Sequence, residues 1–379
     1  MNIAHATTVH PRTDTRIRLK EAATLARGLD AEVALYVQDG LGDEVDDESG
    51  FAIRDAGPRP VGRLARMTVG AWRMYRALRR ARPDVVHFHD PELIPVGIAL
   101  RVSGTKAVYD VHEDLPRQIL TKPYLPAGLR APVSRIAAWF EGLADRVMSG
   151  VVPATPAIAE HFSTDRAVLV QNFPLPGELT VTDSTDYAGR PAHFAFVGGI
   201  TAIRGTVQMI DALALAATPD IRLQLVGRFS SASHRCEAAA RPGWSRVDER
   251  GWADRPTVAA ILDGARAGLV LFLPSPNHVA AQPNKLFEYM SAGLPVIASD
   301  FPLWRRIVDG AGCGLLVDPT DPAAIARAMD WILDNPDRAA EMGRRGRDAV
   351  RETYNWPAEA EKLLAFYRDR LGVPLKRTE

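Results

Sequence analysis

The chain has 379 residues, with 46 Lys+Arg against 46 Asp+Glu, 46% apolar and 24% charged residues. That length suggests about two to three domains, each able to bury a core without a disulfide or metal staple. The even charge balance argues against a general nucleic-acid binder, and two cysteines, Cys236 and Cys313, provide neither a disulfide framework nor a Cys-based zinc site.

A reducing, cytoplasmic compartment is the simplest expectation. The chain opens on a strand-like run, Ile3-Ala4-His5-Ala6, without the basic and apolar regions of a signal peptide. The longest apolar stretches, such as 267–274, are far shorter than the ~20 residues that cross a bilayer. An integral membrane protein is therefore not expected.

Short apolar runs alternate with amphipathic segments. In the first half the runs are 2–7, 32–37, 84–88, 106–111, 147–152 and 167–170. Helical segments fall near 16–28, 62–81, 92–102, 130–145 and 155–161. This is the βα alternation of a parallel sheet covered by helices. The acidic cluster at 43–48 reads as a solvated loop. The pattern stops at Asn172-Phe173-Pro174, and a polar, Pro- and Gly-containing stretch follows, so 172–189 reads as a linker.

The alternation then restarts. Strand runs are 193–197, 221–226, 245–248, 268–273, 295–298 and 314–317, and helices fall near 204–216, 255–266, 285–292, 302–308, 321–334 and 336–352. A last helix runs over about 358–371. The reading is α/β: two Rossmann-like, doubly wound parallel-sheet domains facing a central cleft. The first is 1–171, rejoined by 357–379, and the second is 190–356. Open sheets of this kind bind ligands beyond the carboxyl ends of their strands, so the loops after strands are where sites are sought.

The strongest block is Pro283-Asn284-Lys285-Leu286-Phe287-Glu288-Tyr289-Met290, closed by Gly293-Leu294-Pro295 before the strand at 295–298. It joins a loop, a short helix and a strand. The free N–H groups at such a helix start can hold a diphosphate. Lys285 places a positive charge in the first turn, where a helix ordinarily prefers an acid. Asn284, Lys285 and Leu286 are the expected diphosphate-binding positions. Glu288, one turn on, can accept two ribose hydroxyls. A second phosphate element is Phe196-Val197-Gly198-Gly199-Ile200-Thr201-Ala202-Ile203-Arg204-Gly205, where Gly198 and Gly199 let backbone approach a ligand and Arg204 can give a bidentate contact.

The first half carries histidine-rich strand ends: His10 through Arg16, His87-Phe88-His89-Asp90, and Asp110-Val111-His112. None has the spacing of a helical metal pair, so no metal is expected. Asp14, Arg16, His89 and Asp90 are taken as acceptor-side residues, and Asp110 as a residue that fixes loop geometry. Finally, 59–82 holds eight arginines and no acid, with apolar residues near helical spacing. Such a helix can lie on an anionic membrane surface.

The 283–300 block resembles the nucleotide-sugar signature of glycosyltransferase family 4, the group 1 retaining glycosyltransferases of the GT-B fold. The resemblance covers nearly the whole chain. It implies transfer of a sugar from a nucleoside-diphosphate sugar to a hydroxyl acceptor with retained anomeric configuration, in surface polysaccharide or lipid-linked glycan assembly. The partners it implies are the donor and a glycan or lipid-linked acceptor; no cofactor and no essential metal are implied. It assigns Glu288 to the donor ribose, Gly227 and Trp252 to the base pocket, and His112 to transition-state support beside sugar and acceptor. Three positions depart from the family pattern: Ala280 stands where many members have Glu, Gly199 where they have Arg, and Arg204-Gly205 where they have Lys-Gly. A GT-B nucleotide-sugar epimerase and a non-catalytic GT-B partner subunit are the alternatives.

Overall fold

Strands that are buried on both faces are continuously apolar, and polar residues within them mark positions with a role beyond packing. The computed structural model describes residues 1–122, 125–177, 179 and 186–377. The chain divides into two units, residues 1–172 with 356–379, and residues 173–355.

Unit 1 is built on a seven-stranded sheet in the order β3-β4-β2-β1-β5-β6-β7. Its strands are β1 (Asn2–Ala6), β2 (Glu32–Val37), β3 (Glu44–Val45), β4 (Ala52–Asp55), β5 (Val85–Phe88), β6 (Lys106–Val111) and β7 (Gly150–Pro153). All pairings are parallel except β3 with β4. From β1 the chain winds outward in both directions, so right-handed crossovers put helices on both faces. Alternation along the strands then sorts the side chains. Ala4, Ala6, Val86, Phe88, Tyr109 and Val151 face one way and pack under Met74, Leu78, Leu100 and Ala144. His5, His87 and Asp110, at the intervening positions, face the other way. That side is covered by the helical stretch Thr15–Gly28, whose first turns are widened, and by the helix Trp356–Asp369. Trp356 Nε1 donates to Thr24 Oγ1 at 2.9 Å, which ties the C-terminal helix to that stretch.

Three expectations change here. The acidic cluster is solvated only in part: Asp43, Asp47 and Glu48 are exposed, as expected, but Glu44 and Asp46 are not free in solvent. Glu44 begins β3, and Arg12 and Arg18 donate to Glu44 and Asp46 from across the sheet edge. Asp46 is buried. Strands of two and four residues are too short for a periodicity signal, so β3 and β4 were not foreseen. The run 167–170 forms a single bridge, Ala167 to Val151, rather than a strand. A helix Leu115–Thr121 was missed, and the helix Ala127–Val147 extends beyond the expected 130–145.

The helix Ala127–Val147 buries Glu141 against the sheet side. Burial, reinforced by the Asp114 charge, pushes this carboxyl up to about 8. A carboxyl that holds its proton in the folded chain and loses it near 4.5 when unfolded makes stability fall as pH rises through that window. Glu141→Gln is expected to flatten this slope and to be more stable than the parent at pH 8, by about 1–3 kcal/mol. Thermal unfolding of both proteins at pH 5.5 and 8 checks it.

Unit 2 carries a six-stranded, wholly parallel sheet in the order β10-β9-β8-β11-β12-β13. The strands are β8 (His193–Val197), β9 (Arg222–Val226), β10 (Val247–Gly251), β11 (Ala267–Val270), β12 (Val296–Ser299) and β13 (Gly314–Val317). Two apolar layers enclose it, one around Trp304, Tyr289 and Phe287, the other around Phe194, Phe196 and Met209. Phe173, Leu179 and Tyr187, from the stretch expected as linker, pack against these layers. Glu178 and residues 180–185 of that stretch lie outside the described residues. The helix Ala232–Ala239 was not foreseen, because only His234 and Ala238 of it are buried and they give no apolar stripe.

Candidate active site

In unit 2 the site grows from the end of β8. Val197 is followed by Gly198, at φ +119, a conformation that L side chains rarely adopt. A Cβ on Gly198 would sit 3.4 Å from Lys285 Nζ, and one on Gly199 would sit 3.0 Å from Arg204 Nη1. Two cations therefore lie directly over the Gly-Gly turn. Arg204 donates to the Gly199 carbonyl at 3.0 Å and stacks toward Phe272. Lys285 Nζ lies 3.6 Å from the centre of the Phe196 ring.

Lys285 was expected to bind diphosphate from the first turn of the helix, and its burial there was not foreseen. It is 7% exposed, and its ammonium has no hydrogen-bond partner among the described residues. Burial, then the neighbouring Arg204 charge, holds its pKa well below the ordinary lysine range, while Glu288 pulls the other way. Burial likewise lowers Arg204. Neither cation has a carboxylate at ion-pair distance among the described residues. An unpaired buried cation costs free energy that a bound anion recovers.

The helix Asn284–Ser291 begins beside them. It has no side-chain cap, whereas the helices at 232, 255 and 276 are each capped by a Ser or Asp side chain. Asn284 is exposed at the first position. Leu286 does not fit its expected role: its side chain is wholly in the core and its N–H turns back to the Pro283 carbonyl at 3.1 Å. Tyr289, which the sequence reading did not single out as a site residue, sets the spacing of the site. Its hydroxyl accepts from Val197 N–H at 2.8 Å, and its ring fills the space where Gly268 would carry a Cβ. Glu288 Oε1 accepts from Arg255 Nη1 at 3.0 Å. Gly227, at φ +140, lies so close to the Gly198 carbonyl that a Cβ would come within 1.9 Å of it. Its N–H donates to Gly251, which precedes Trp252. Trp252 is 68% exposed and lines an open groove with Gln224, Arg250, Thr257 and Ile261. Ala280 follows the short helix Pro276–Val279 and brings no charge.

In unit 1 the expected histidine-rich loops do converge, but around a buried network. Asp110 is its hub. Arg16 donates to both of its oxygens, at 2.8 and 3.2 Å, and lies 2.9 Å from Glu21 Oε1. His89 Nδ1 lies 2.8 Å from Asp110 Oδ2, and His112 Nε2 contacts the same oxygen. His5 Nδ1 meets His89 Nε2 at 3.0 Å, and His87 Nδ1 meets the Tyr367 hydroxyl at 2.8 Å. Burial holds His5 and His87 well below the ordinary histidine range and raises Glu21. Asp110 ionises easily despite its burial, because Arg16 and His112 face it.

Three of the acceptor-side candidates, Arg16, His89 and Asp90, are buried, which does not suit a direct ligand contact. Arg16 is 4% exposed and braces Asp110, Glu21 and the Val170 carbonyl; His89 is 2% exposed. Neither is open to a ligand from within this unit. Asp90 is also buried, accepting from Thr7 Oγ1, Thr8 N–H and Val9 N–H, so it shapes the loop after β1. Asp14 caps the helical stretch at 15, and its carboxyl is held down to about 2 against the opposing effect of burial by His10 and the Ile17 N–H. His112 remains partly open, 15% exposed at its side chain, with the His10 ring 5.0 Å away. His10 was read as part of a histidine-rich strand end but was given no role of its own. Burial opposes its charge, but the bond to Asp14 and the Asp90 charge outweigh that and raise its pKa. Glu21, His87, His89 and Asp110 bring ligand-type atoms within 4.8 Å of one another. Arg16 already supplies the positive charge at that centre.

Comparison with known proteins follows the same division. Residues 15–173 match the family described as glycosyl transferase 4-like domain, and residues 191–335 match glycosyl transferases group 1. D-rhamnosyltransferase WbpZ of Pseudomonas aeruginosa is 25% identical over 297 residues, covering 76% of this chain and 74% of that protein. The phosphatidyl-myo-inositol mannosyltransferase of Mycobacterium leprae is 25% identical over 304 residues, covering 75% and 73%. Among solved structures, sucrose-phosphate synthase from Thermosynechococcus elongatus superposes with a TM-score of 0.77 at 19% identity, over 98% of this chain and 99% of that one. Anabaena HepE in complex with UDP and glucose superposes with a TM-score of 0.73 at 16% identity, over 97% and 100%.

Proposed function

The chain belongs to the group 1 glycosyltransferases of the GT-B fold, and we propose that it is a retaining, metal-independent member. In this reading it moves a sugar from a nucleoside-diphosphate sugar to a hydroxyl acceptor, in surface polysaccharide or lipid-linked glycan assembly. The observation that carries it is a pair of cations over the Gly198-Gly199 turn, Lys285 buried and Arg204 half-buried, with no carboxylate at ion-pair distance among the described residues. A diphosphate supplies the charge this pair is missing. The names of similar proteins agree: a rhamnosyltransferase, a mannosyltransferase to phosphatidyl-myo-inositol, and a structure holding UDP and glucose. The epimerase and partner-subunit readings are not favoured.

In the reaction the bond between the anomeric carbon and the diphosphate oxygen breaks and its electron pair leaves with the diphosphate, while the acceptor hydroxyl oxygen bonds to that carbon on the same face and its proton passes to the departing diphosphate. Donors already in place for that charge lower the barrier, because nothing must reorganise when it develops. Lys285, Arg204 and the uncapped N–H groups at Asn284 and Lys285 are those donors. Two fixed cations at the leaving group support the metal-independent reading, as they take the part a divalent ion would otherwise play. Glu288 takes the ribose hydroxyls in exchange for Arg255. In unit 1, Asp110 fixes the His112 ring, and His112 serves the acceptor.

Proton NMR of the first product tests the reading. The expected product has the anomeric configuration of the donor, and its rate is unchanged by EDTA. An inverted product, or activity abolished by EDTA and restored by a divalent ion, contradicts it.

A further inference from the structure

In unit 1 the helices Ala71–Ala81, Ile94–Val102 and Ala127–Val147 share one face of the sheet, and the last of them also packs against the helix Leu115–Thr121. A 21-residue helix in a globular unit ordinarily turns its apolar stripe inward. The helix Ala127–Val147 does the reverse. Only Glu141 and Ala144 are buried. Leu129, Ile136 and Phe140, which fall on one stripe at spacings of seven and four, are 53%, 56% and 39% exposed, and the adjoining Trp139 is 60% exposed. Met74, Leu78 and Ala144 pack down on one side of the sheet, so the outer sides of these helices point the same way. On that outer side the first helix of the row, continuous with the turns that precede it from Arg63, exposes Leu64 (76%) and Trp72 (58%).

The charge around these residues is mainly positive, with Asp145 partly exposed near the end of the long helix. Residues 56–83 contain no acid, and neither does the helix Ala127–Val147 before Glu141, which is itself buried. Arg73, Arg76, Arg79 and Arg80 are exposed and have no carboxylate partner among the described residues. Among the described residues no helix is long and apolar enough to cross a membrane. Exposed tryptophan and phenylalanine on a helix lying flat, flanked by unpaired arginines, suit the boundary between lipid headgroups and acyl chains. The arginines add attraction to anionic lipid near the surface.

We propose that this face docks on an anionic lipid bilayer, with the helix Ala127–Val147 seated in the interface through Ile136, Trp139 and Phe140 and the arginine-rich helix beside it on the headgroups. The basic segment 59–82 thus supplies charge, and the apolar insertion comes from a helix that carries no charge pattern of its own. This goes beyond the transfer reaction and rests on unit 1 alone.

Flotation with vesicles of mixed phosphatidylcholine and phosphatidylglycerol tests it, using the full chain and the double variant Trp139→Ser, Phe140→Ser. The parent is expected to float with the mixed vesicles at low salt and not with pure phosphatidylcholine. The double variant is expected to lose at least tenfold in partition while its melting temperature and its response to nucleoside diphosphate stay unchanged. Parent protein that does not float at low salt overturns the proposal, as does a variant that floats equally well. A concentration-dependent dimer of the parent that the same variant dissociates also overturns it, because a second copy then covers the face. Nucleotide response is measured in parallel, so failure here leaves the transferase reading untouched.

Discussion

Lys285→Met is expected to make the ligand-free protein more stable and to cost it most of its turnover. The ammonium is buried against the Phe196 and Phe272 rings, repelled by Arg204, and has no hydrogen-bond acceptor among the described residues. A buried charge without a partner costs several kcal/mol, part of which the lysine avoids by lowering its pKa. Methionine keeps most of the volume and removes the charge. The expected gain is about 1–3 kcal/mol, or roughly 2–4 °C of melting temperature per kcal/mol for a unit of this size. Turnover is expected to fall about 100- to 1000-fold, as when one preorganised donor to a developing anion is lost. Differential scanning fluorimetry and initial rates on the same preparations check both. A variant that is less stable and still active would mean the ammonium serves packing rather than an anion.

Asp110→Asn is expected to have the largest effect in unit 1. The substitution leaves the buried Arg16 guanidinium facing Glu21 alone and takes away the shared acceptor of His89 and His112. Breaking a buried ion pair on one side typically costs about 3–5 kcal/mol. The pH dependence carries a second signature. The Asp110 carboxyl is held well below its usual value of 3.8 by Arg16 and His112, against its burial. Its stabilisation is therefore present above that value and is lost as pH falls through the lower folded pKa. The variant should lack this acid limb. Urea titrations of parent and variant between pH 3 and 7 measure both effects. A loss below about 1 kcal/mol would place the charge balance of the network elsewhere.

Much of the frame was legible because it is local. Runs such as Val85–Phe88 and Val296–Ser299 are buried on both faces and read as parallel strands at once. The Gly198-Gly199 turn and the 284–291 helix announce themselves through glycine and proline. What sequence could not show depends on partners far along the chain. A lysine in the first turn of a helix reads as a surface residue until the Phe196 ring, 89 positions earlier, is found beneath it. Arg16 reads as a ligand contact until Asp110 and Glu21 are found around it. Glu44 and Asp46 read as solvated until Arg12 and Arg18 reach them. Period-3.6 spacing in 127–147 reports an apolar stripe but not which side the sheet takes, so the outward face of that helix was invisible. His10 was given no role because one of its partners, Asp90, lies on a separate strand end 80 positions on.

Calorimetric titration of the purified protein with UDP, GDP, ADP and dTDP bears most directly on the central claim, that the Lys285–Arg204 pair is a diphosphate site. One nucleoside diphosphate is expected to bind, its monophosphate at least tenfold more weakly, with binding lost in Lys285→Met and in Arg204→Ala. Absence of binding by all four at millimolar concentration, or binding that survives both substitutions, would contradict it.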